Sequence, residues 1–217
     1  MTVKTLKGFT LVEIAIVLVI IGLLLGGILK GQEMITQAKI KNVIADMSGV
    51  SAAMYGYLDR YRALPGDDKN ADPRWTGATK GDGNGVIVGA WTEAGKESTY
   101  FWDHLRRAGF VSGSGAENPF NAVSGKMGVQ TGDGTGTDGV LGEAASTKMF
   151  TALIMCSGNL PDKIAISVDA QMDDGVGNRG SVRAMKQSAP NPALVAKAAA
   201  DTYSEDGVST YLVCRQL

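Results

Sequence analysis

Residues able to do chemistry are few in this chain of 217 residues. His104 is the single histidine, which excludes a multi-histidine metal site and leaves a Ser-His-Asp triad only one available base. Asp173 and Asp174 are adjacent in sequence, so they are poorly placed to face one substrate bond as a catalytic acid pair. The sequence has no nucleophile elbow, Walker loop or zinc motif. These observations favour a protein that is not an enzyme.

Three acidic, glycine-rich segments have the oxygen-bearing side chains that calcium prefers. These side chains are Asp82 and Asn84 in the first segment, those of residues 133–138 in the second, and Asp173, Asp174 and Asn178 in the third. In the first segment Lys80 stands where an EF-hand loop has its first acid, and no bidentate glutamate occupies the last position. Acidic turns are also common as plain solvated turns. Calcium binding and a solvated turn are therefore both open for each segment.

Cys156 and Cys214 are the two cysteines, and both lie on apolar, strand-like segments. The sequence has no C-x-x-C motif, which excludes a redox or zinc site of that type. A disulfide between the two would close a long loop and stabilise the fold by roughly 4 kcal/mol on chain-entropy grounds. Two buried free thiols are the alternative.

Glu13 is the only charged residue in an apolar stretch that covers residues 9–29. As a helix this stretch is about as long as the hydrocarbon core of a bilayer is thick, about 30 Å. Lys4 and Lys7 precede it and favour a cytoplasmic N-terminus. A charge deep in a membrane helix costs about 2.5–3.5 kcal/mol on insertion scales, and less near the helix end. A plain membrane anchor therefore leaves Glu13 unexplained unless it snorkels to the surface.

No small-residue cleavage site follows the apolar stretch, which excludes an ordinary cleaved secretory signal. The stretch KGFTLVEIAIVLVIIG instead resembles the class III signal of type IV pilins and of the pseudopilins of type II secretion systems. The resemblance implies that a prepilin peptidase cuts between Gly8 and Phe9, that Phe9 is then N-methylated, and that the apolar helix is retained. One departure is Lys30, which stands where the family usually has a proline.

The resemblance also implies a role for Glu13 in recruiting and registering subunits. Cleavage creates a positive amine on Phe9, and two isolated charges are costly in lipid. Glu13 of one subunit facing the Phe9 amine of its neighbour would neutralise both charges in a low dielectric. Pilins commonly close a disulfide near the C-terminus, which favours the Cys156–Cys214 bond. Major pseudopilins bind calcium in a C-terminal loop, which adds weight to the third acidic segment.

Beyond the membrane stretch, apolar residues recur at three- and four-residue steps from Ile40 to Tyr61. This stripe predicts an amphipathic helix that packs on a globular domain and ends at Leu64-Pro65-Gly66. The remaining sequence predicts a small antiparallel sheet and short helices joined by glycine-rich loops. The predicted helices cover residues 100–108, 161–172 and 192–203, and the predicted strands cover residues 148–156, 181–185 and 210–214.

The expected fold is therefore α+β, with a long N-terminal helix packed on a small antiparallel-sheet head. The net charge of -1 and the pI near 5.9 do not suggest an electrostatic nucleic-acid binder. The expected organisation is a cleaved leader at 1–8, a transmembrane and filament-core helix at 9–29, an amphipathic helix at 30–64 and a head at 65–217.

The expected function is that of a structural subunit of a type IV pilus, with a secretion pseudopilin as the alternative. A membrane-anchored binding module or enzyme that never polymerises is the rival from another class. The expected partners are other pilin subunits, the prepilin peptidase, an assembly platform in the bacterial inner membrane and the membrane itself. The precursor is expected in that membrane, and the assembled form in a surface filament or a periplasmic pseudopilus.

Overall fold

A computed structural model of the chain describes residues 8–143, 148–198 and 200–217. The helices and strands within these residues form an α+β fold. They are α1 (Leu11–Tyr61), α2 (Ala71–Arg74), α3 (Glu97–Arg107), β1 (Met127–Thr131), β2 (Leu153–Pro161), α4 (Asp162–Met172), β3 (Val182–Lys186) and β4 (Thr210–Gln216). The strands form one antiparallel sheet in the order β1-β2-β4-β3. The predicted fold class is confirmed.

The chain divides into two compact units, Met1–Ala38 and Lys39–Leu217. In the first unit the large apolar side chains from Phe9 to Ile35 are all exposed. This part of α1 is long and apolar enough to cross a membrane, as judged by its length and composition. An uncovered apolar helix of this length needs lipid or other protein around it.

In the second unit α1 supplies one wall of the hydrophobic core. The buried side chains of this part recur at the helical spacing and lie on one face: Ile40, Val43, Met47, Val50, Ala53, Met54 and Tyr57. They pack in the same cluster as Phe101 and Leu105 of α3, Val168 of α4, and Met155 and Val213 of the sheet. The predicted amphipathic stripe is confirmed, although Ile44, Leu58 and Tyr61 are only partly buried.

Segments outside the sheet cover both of its edge strands. Along β1, Thr131 donates from its backbone N–H to the carbonyl of Ile87 (3.2 Å), and Ile87 N–H donates to Thr131 Oγ1 (2.9 Å). Along β3, Ala184 N–H donates to Gly177 (2.7 Å) and its carbonyl accepts from Asp201 N–H (2.8 Å). Covered edges leave few free backbone groups for pairing with another chain.

Several predicted elements differ from the structure. The segment 192–203 was expected to be a helix, but its described residues have no regular structure. Its backbone groups bind neighbouring segments instead: Ala196 and Ala198 accept from Leu141 N–H and Gly142 N–H (both 3.0 Å). These tertiary hydrogen bonds replace the ones that a helix would make, so local alanine content did not decide the conformation.

The strand expected at 148–156 lies further along the chain, at Leu153–Pro161, and β1 lies inside a region expected to be loop. Position 128 in β1 is a glycine, because a Cβ atom there would overlap the carbonyl oxygen of Trp91. This glycine interrupts the apolar pattern from which a strand would be predicted. Helix α3 begins at Glu97, so Ser98 and Thr99 lie inside it rather than before it. His104, the single histidine, is fully buried.

Candidate functional sites

The start of α1 brings Thr10 and Glu13 together in a capping box. The Glu13 carboxylate accepts hydrogen bonds at Oε2 from the backbone N–H and from the hydroxyl of Thr10 (both 2.8 Å). Thr10 Oγ1 in turn accepts from the backbone N–H of Glu13 (3.2 Å). This reciprocal pair satisfies backbone donors that the first turn of a helix leaves free. Glu13 therefore has a role within its own chain, in addition to any role between chains.

Ahead of the helix, residues 8–10 have no regular structure, and the Phe9 side chain is 86% exposed. The Gly8–Phe9 peptide bond, which we predict to be the cleavage site, therefore lies in irregular, exposed backbone. Both contacts from Thr10 end on Oε2 of Glu13. Among the described residues no donor faces Oε1, so this oxygen can accept a hydrogen bond from outside the chain.

The first acidic segment is held by two buried carboxylates that we did not predict as site residues. Asp67 accepts at Oδ1 from the backbone N–H groups of Gly83 (2.6 Å) and Asn84 (3.2 Å), and at Oδ2 from Gly85 (2.7 Å). Glu97 accepts from the backbone N–H groups of Asp82 and Val88, at 3.2 Å and 2.9 Å. Burial raises the pKa of both carboxyl groups. Asp67 and Glu97 thus anchor the loop that joins α2 to α3.

Carboxylate oxygens of Asp67, Asp82 and Glu97 lie within 4.8 Å of one another. Such a group of oxygen ligands has the composition of a calcium site. Asn84 is the second residue that we expected in this site, and its side-chain oxygen accepts from Val86 N–H (2.7 Å). The missing members are visible in the sequence as an acid shortly after Pro65 and an acid at the first residue of α3, but neither position belongs to a calcium-loop motif.

The third acidic segment forms a second group, made by Asp169, Asp173 and Asp174. Each acid already has a partner: Asp173 accepts from the backbone N–H of Ser181 (2.5 Å) and Asp174 pairs with Arg179 (2.6 Å). Asp169, which we did not predict as a ligand, accepts from the hydroxyl of Tyr203 (2.7 Å). Asn178, the third residue that we expected here, stays a prediction. The acids also brace the start of β3, because Asp173 accepts from Val182 N–H (3.1 Å) as well.

The second acidic segment is occupied by a cation of the chain itself. The ammonium group of Lys197 lies 2.6 Å from an oxygen of Asp133 and 3.3 Å from one of Asp138. Although burial opposes ionisation, the lysine and Thr135 hold the pKa of Asp133 well below its usual range. The ion pair connects this loop to the irregular segment that follows Pro192.

Cys156 and Cys214 form a disulfide, and both residues are fully buried. They lie directly opposite each other in the register of β2 and β4. Trp91, Ile154 and Leu212 belong to the same buried cluster. The bond therefore joins the two central strands from inside a core and offers no exposed sulfur for chemistry.

His104 has both ring nitrogens occupied by neutral partners. Its Nδ1 accepts from the backbone N–H of Gly66 (2.8 Å), and its Nε2 lies 2.8 Å from the carbonyl oxygen of Thr79. Because a carbonyl only accepts, Nε2 carries the proton and the ring is neutral. Burial lowers the pKa of His104. A histidine held in this way joins two loops to α3 and has no free nitrogen for a substrate.

Comparison with known proteins finds a family model that matches the N-terminal part of the chain. Residues 4–29 match the family described as "Prokaryotic N-terminal methylation motif". The match covers the Gly8–Phe9 bond, the capping box and the exposed apolar part of α1 up to Leu29. Among the curated proteins compared with the chain, none matches it.

Proposed function

We propose that the chain is a subunit of a filament, because its residues 4–29 carry the prepilin signal of the type IV pilins and pseudopilins. A peptidase cuts the Gly8–Phe9 bond, the new amine of Phe9 is methylated, and the chains assemble through the N-terminal part of α1. One observation carries this proposal: the matched signal contains most of an apolar segment whose large side chains, from Phe9 to Ile35, are all exposed. That surface is stable only in lipid or against other apolar helices.

Glu13 has a second role in this proposal, as the partner of a neighbouring Phe9 amine. Two charges at the membrane boundary are each costly alone, and pairing them removes both costs. The capping box uses only Oε2 of Glu13, so Oε1 remains for the neighbouring amine without loss of the helix start. Assembly and capping are thus compatible in one side chain.

Two substitutions separate capping from charge pairing. Glu13→Gln keeps an N3 side chain that can complete a capping box but removes the charge, whereas Thr10→Val removes the capping hydroxyl and keeps the charge. We expect Glu13→Gln to be processed and inserted normally yet to yield no filaments. We expect Thr10→Val to assemble. The yield of sheared filaments, measured by electron microscopy and immunoblotting, checks both outcomes.

The opposite result, with filaments from Glu13→Gln and none from Thr10→Val, would assign Glu13 to helix capping alone. Mass spectrometry of the mature wild-type chain tests the processing step independently. We expect a chain that begins with N-methylated Phe9. An intact Met1 would remove the basis for filament assembly and leave the non-polymerising membrane anchor as the better reading.

Within the filament class we favour a type IV pilus subunit over a secretion pseudopilin. The mature chain would be longer than a typical major pseudopilin. The precursor would reside in the bacterial inner membrane with the assembly platform, and the assembled form on the cell surface. Deletion of the gene separates the two, since a pilus subunit is needed for surface filaments and a pseudopilin for export of secreted proteins.

A further inference from the structure

Asn84 is the one asparagine of this chain that a glycine follows. In such a dipeptide the backbone nitrogen of the glycine can attack the side-chain amide carbon of the asparagine and close a five-membered succinimide. Gly85 has no side chain to hinder that approach. Asn84 and Gly85 are both exposed, so water reaches the products.

The three atoms that take part in ring closure each have a partner of the required kind. The attacking N–H of Gly85 donates to Oδ2 of Asp67 (2.7 Å), a carboxylate that can accept its proton. The amide oxygen of Asn84 accepts from the backbone N–H of Val86 (2.7 Å), which lies where negative charge develops during the attack. The departing amide nitrogen of Asn84 donates to Oδ2 of Asp82 (2.8 Å).

Asp67 is held firmly in place for this role. Its residue is 3% exposed, and its other oxygen accepts from the backbone N–H groups of Gly83 and Asn84. A proton acceptor fixed at hydrogen-bond distance from the nucleophile is the arrangement that general-base catalysis needs. The hydrogen bond from Val86 also settles which amide atom of Asn84 is the oxygen, because an N–H group donates to it.

We propose that the Asn84–Gly85 peptide is a self-modification site, at which the loop accelerates deamidation of Asn84. The nitrogen of Gly85 bonds to Cγ of Asn84 while its proton passes to Asp67. The Cγ–Nδ2 bond then breaks, and the amide leaves as ammonia with the proton that Asp67 accepted, relayed through Asp82 or water. Water next opens the succinimide to aspartate or isoaspartate at position 84. No oxidant, reductant or other co-reactant is needed.

The modification adds a carboxylate beside the Asp67, Asp82 and Glu97 group. The loop then carries one more negative charge than the translated chain. This inference does not depend on filament assembly, since the loop lies wholly within the second unit.

The test compares the rate of deamidation in the folded protein with the rate in an unfolded peptide of the same sequence. Full-length protein in detergent and a synthetic peptide of residues 80–89 are incubated under the same conditions. Intact-mass spectrometry measures the conversion of amide to acid, and peptide mapping with isoaspartate detection assigns it to position 84. We expect the folded chain to react at least about tenfold faster than the peptide. This is below the 10²–10⁴-fold range of general acid–base catalysis, because an ordered loop must rearrange to close the ring.

Variants assign the acceleration to the carboxylates. Asp67→Asn should bring the rate to that of the peptide or below. Asp82→Ala, at an exposed position, gives a second test if Asp67→Asn does not fold, and should slow the reaction. Asp59→Ala removes an exposed carboxylate of α1 and should leave the rate unchanged, while Asn84→Gln should abolish the signal. A folded chain that reacts as slowly as the peptide, or more slowly, overturns the proposal, as does an unchanged rate in both Asp67→Asn and Asp82→Ala.

Discussion

At the scale of single residues, the second unit uses buried polar groups to fix its loops. Tyr57 donates its hydroxyl to Asp68 (2.7 Å), and Arg74 binds the same carboxylate oxygen while its guanidinium lies over the ring of Tyr61. His104 lies 6.2 Å from the ring of Tyr57 and parallel to it. These groups connect the end of α1 to α2 and α3 through hydrogen bonds that burial makes costly to break.

His104 predicts a pH dependence of stability. Burial lowers its pKa, and the charge of Arg107 lowers it further, while Thr79, Asp68 and Asp103 oppose the shift without reversing it. The unfolded chain takes up a proton near the ordinary histidine pKa of about 6.5, whereas the folded chain resists protonation. Below about pH 6.5 the unfolded state therefore binds more protons, and the free energy of unfolding falls by up to about 1.4 kcal/mol per pH unit.

Urea unfolding at a series of pH values, on wild type and on His104→Gln, measures this contribution. Acids with raised pKa values, such as Glu97 and Asp169, titrate in both proteins, so the difference between the two curves isolates the histidine. The wild type should lose stability relative to the variant as the pH falls from 7 towards 5. Parallel curves would mean that protonation of His104 is not coupled to folding.

At the scale of elements, the disulfide predicts how the sheet responds to reduction. Cys156 and Cys214 join β2 to β4 and enclose α4 and β3 in the loop between them. Replacing both with alanine should lower the free energy of unfolding by roughly 4 kcal/mol, because the unfolded chain regains the entropy of a long open loop. Thermal or urea unfolding measures the loss.

Wild-type protein unfolded and refolded in reductant is the matched control for this variant. Both sulfurs are buried, so reductant should act only on unfolded chains and should leave the native protein intact. Equal stability of the oxidised wild type and the Cys156→Ala, Cys214→Ala variant would show that the strand pairing and packing alone hold the sheet.

The elements also show how far the sequence predicts this fold. The apolar stripe predicted the buried face of α1, and the helix predicted at 161–172 agrees with α4 (Asp162–Met172), because both signals are local. The helix predicted at 192–203 was wrong, because the backbone groups that bind this segment, such as those of Gly142, lie far away in the chain. Asp82, Asp173 and Asp174 were predicted as candidate ligands, whereas Asp67 was not, because Asp67 precedes α2 and reaches the first acidic segment only in the folded chain.

At the scale of the whole molecule, apolar surface is distributed unequally between the two units. Among the described residues, most exposed large apolar side chains lie between Phe9 and Ile35. Those in the second unit are Tyr55, Phe110, Phe120, Leu194 and Val208. Neighbouring segments of the same chain cover both edges of the sheet. Exposed apolar surface is thus concentrated in the first unit.

A chain that begins at Lys39 should therefore fold and remain monomeric without detergent. It retains every buried residue of α1, of which Ile40 is the first, and so keeps the core that α1 shares with α3, α4 and the sheet. Its unfolding midpoint in urea should equal that of the head in the full-length chain, since residues 8–38, the described part of the segment removed, bury no apolar side chain. Sedimentation velocity at increasing concentration checks the monomeric state, with the full-length chain in detergent as the folding control. The shortened chain has neither Glu13 nor the exposed apolar part of α1. Oligomers of it would therefore place assembly contacts in the head and would contradict assembly through the N-terminal helix alone.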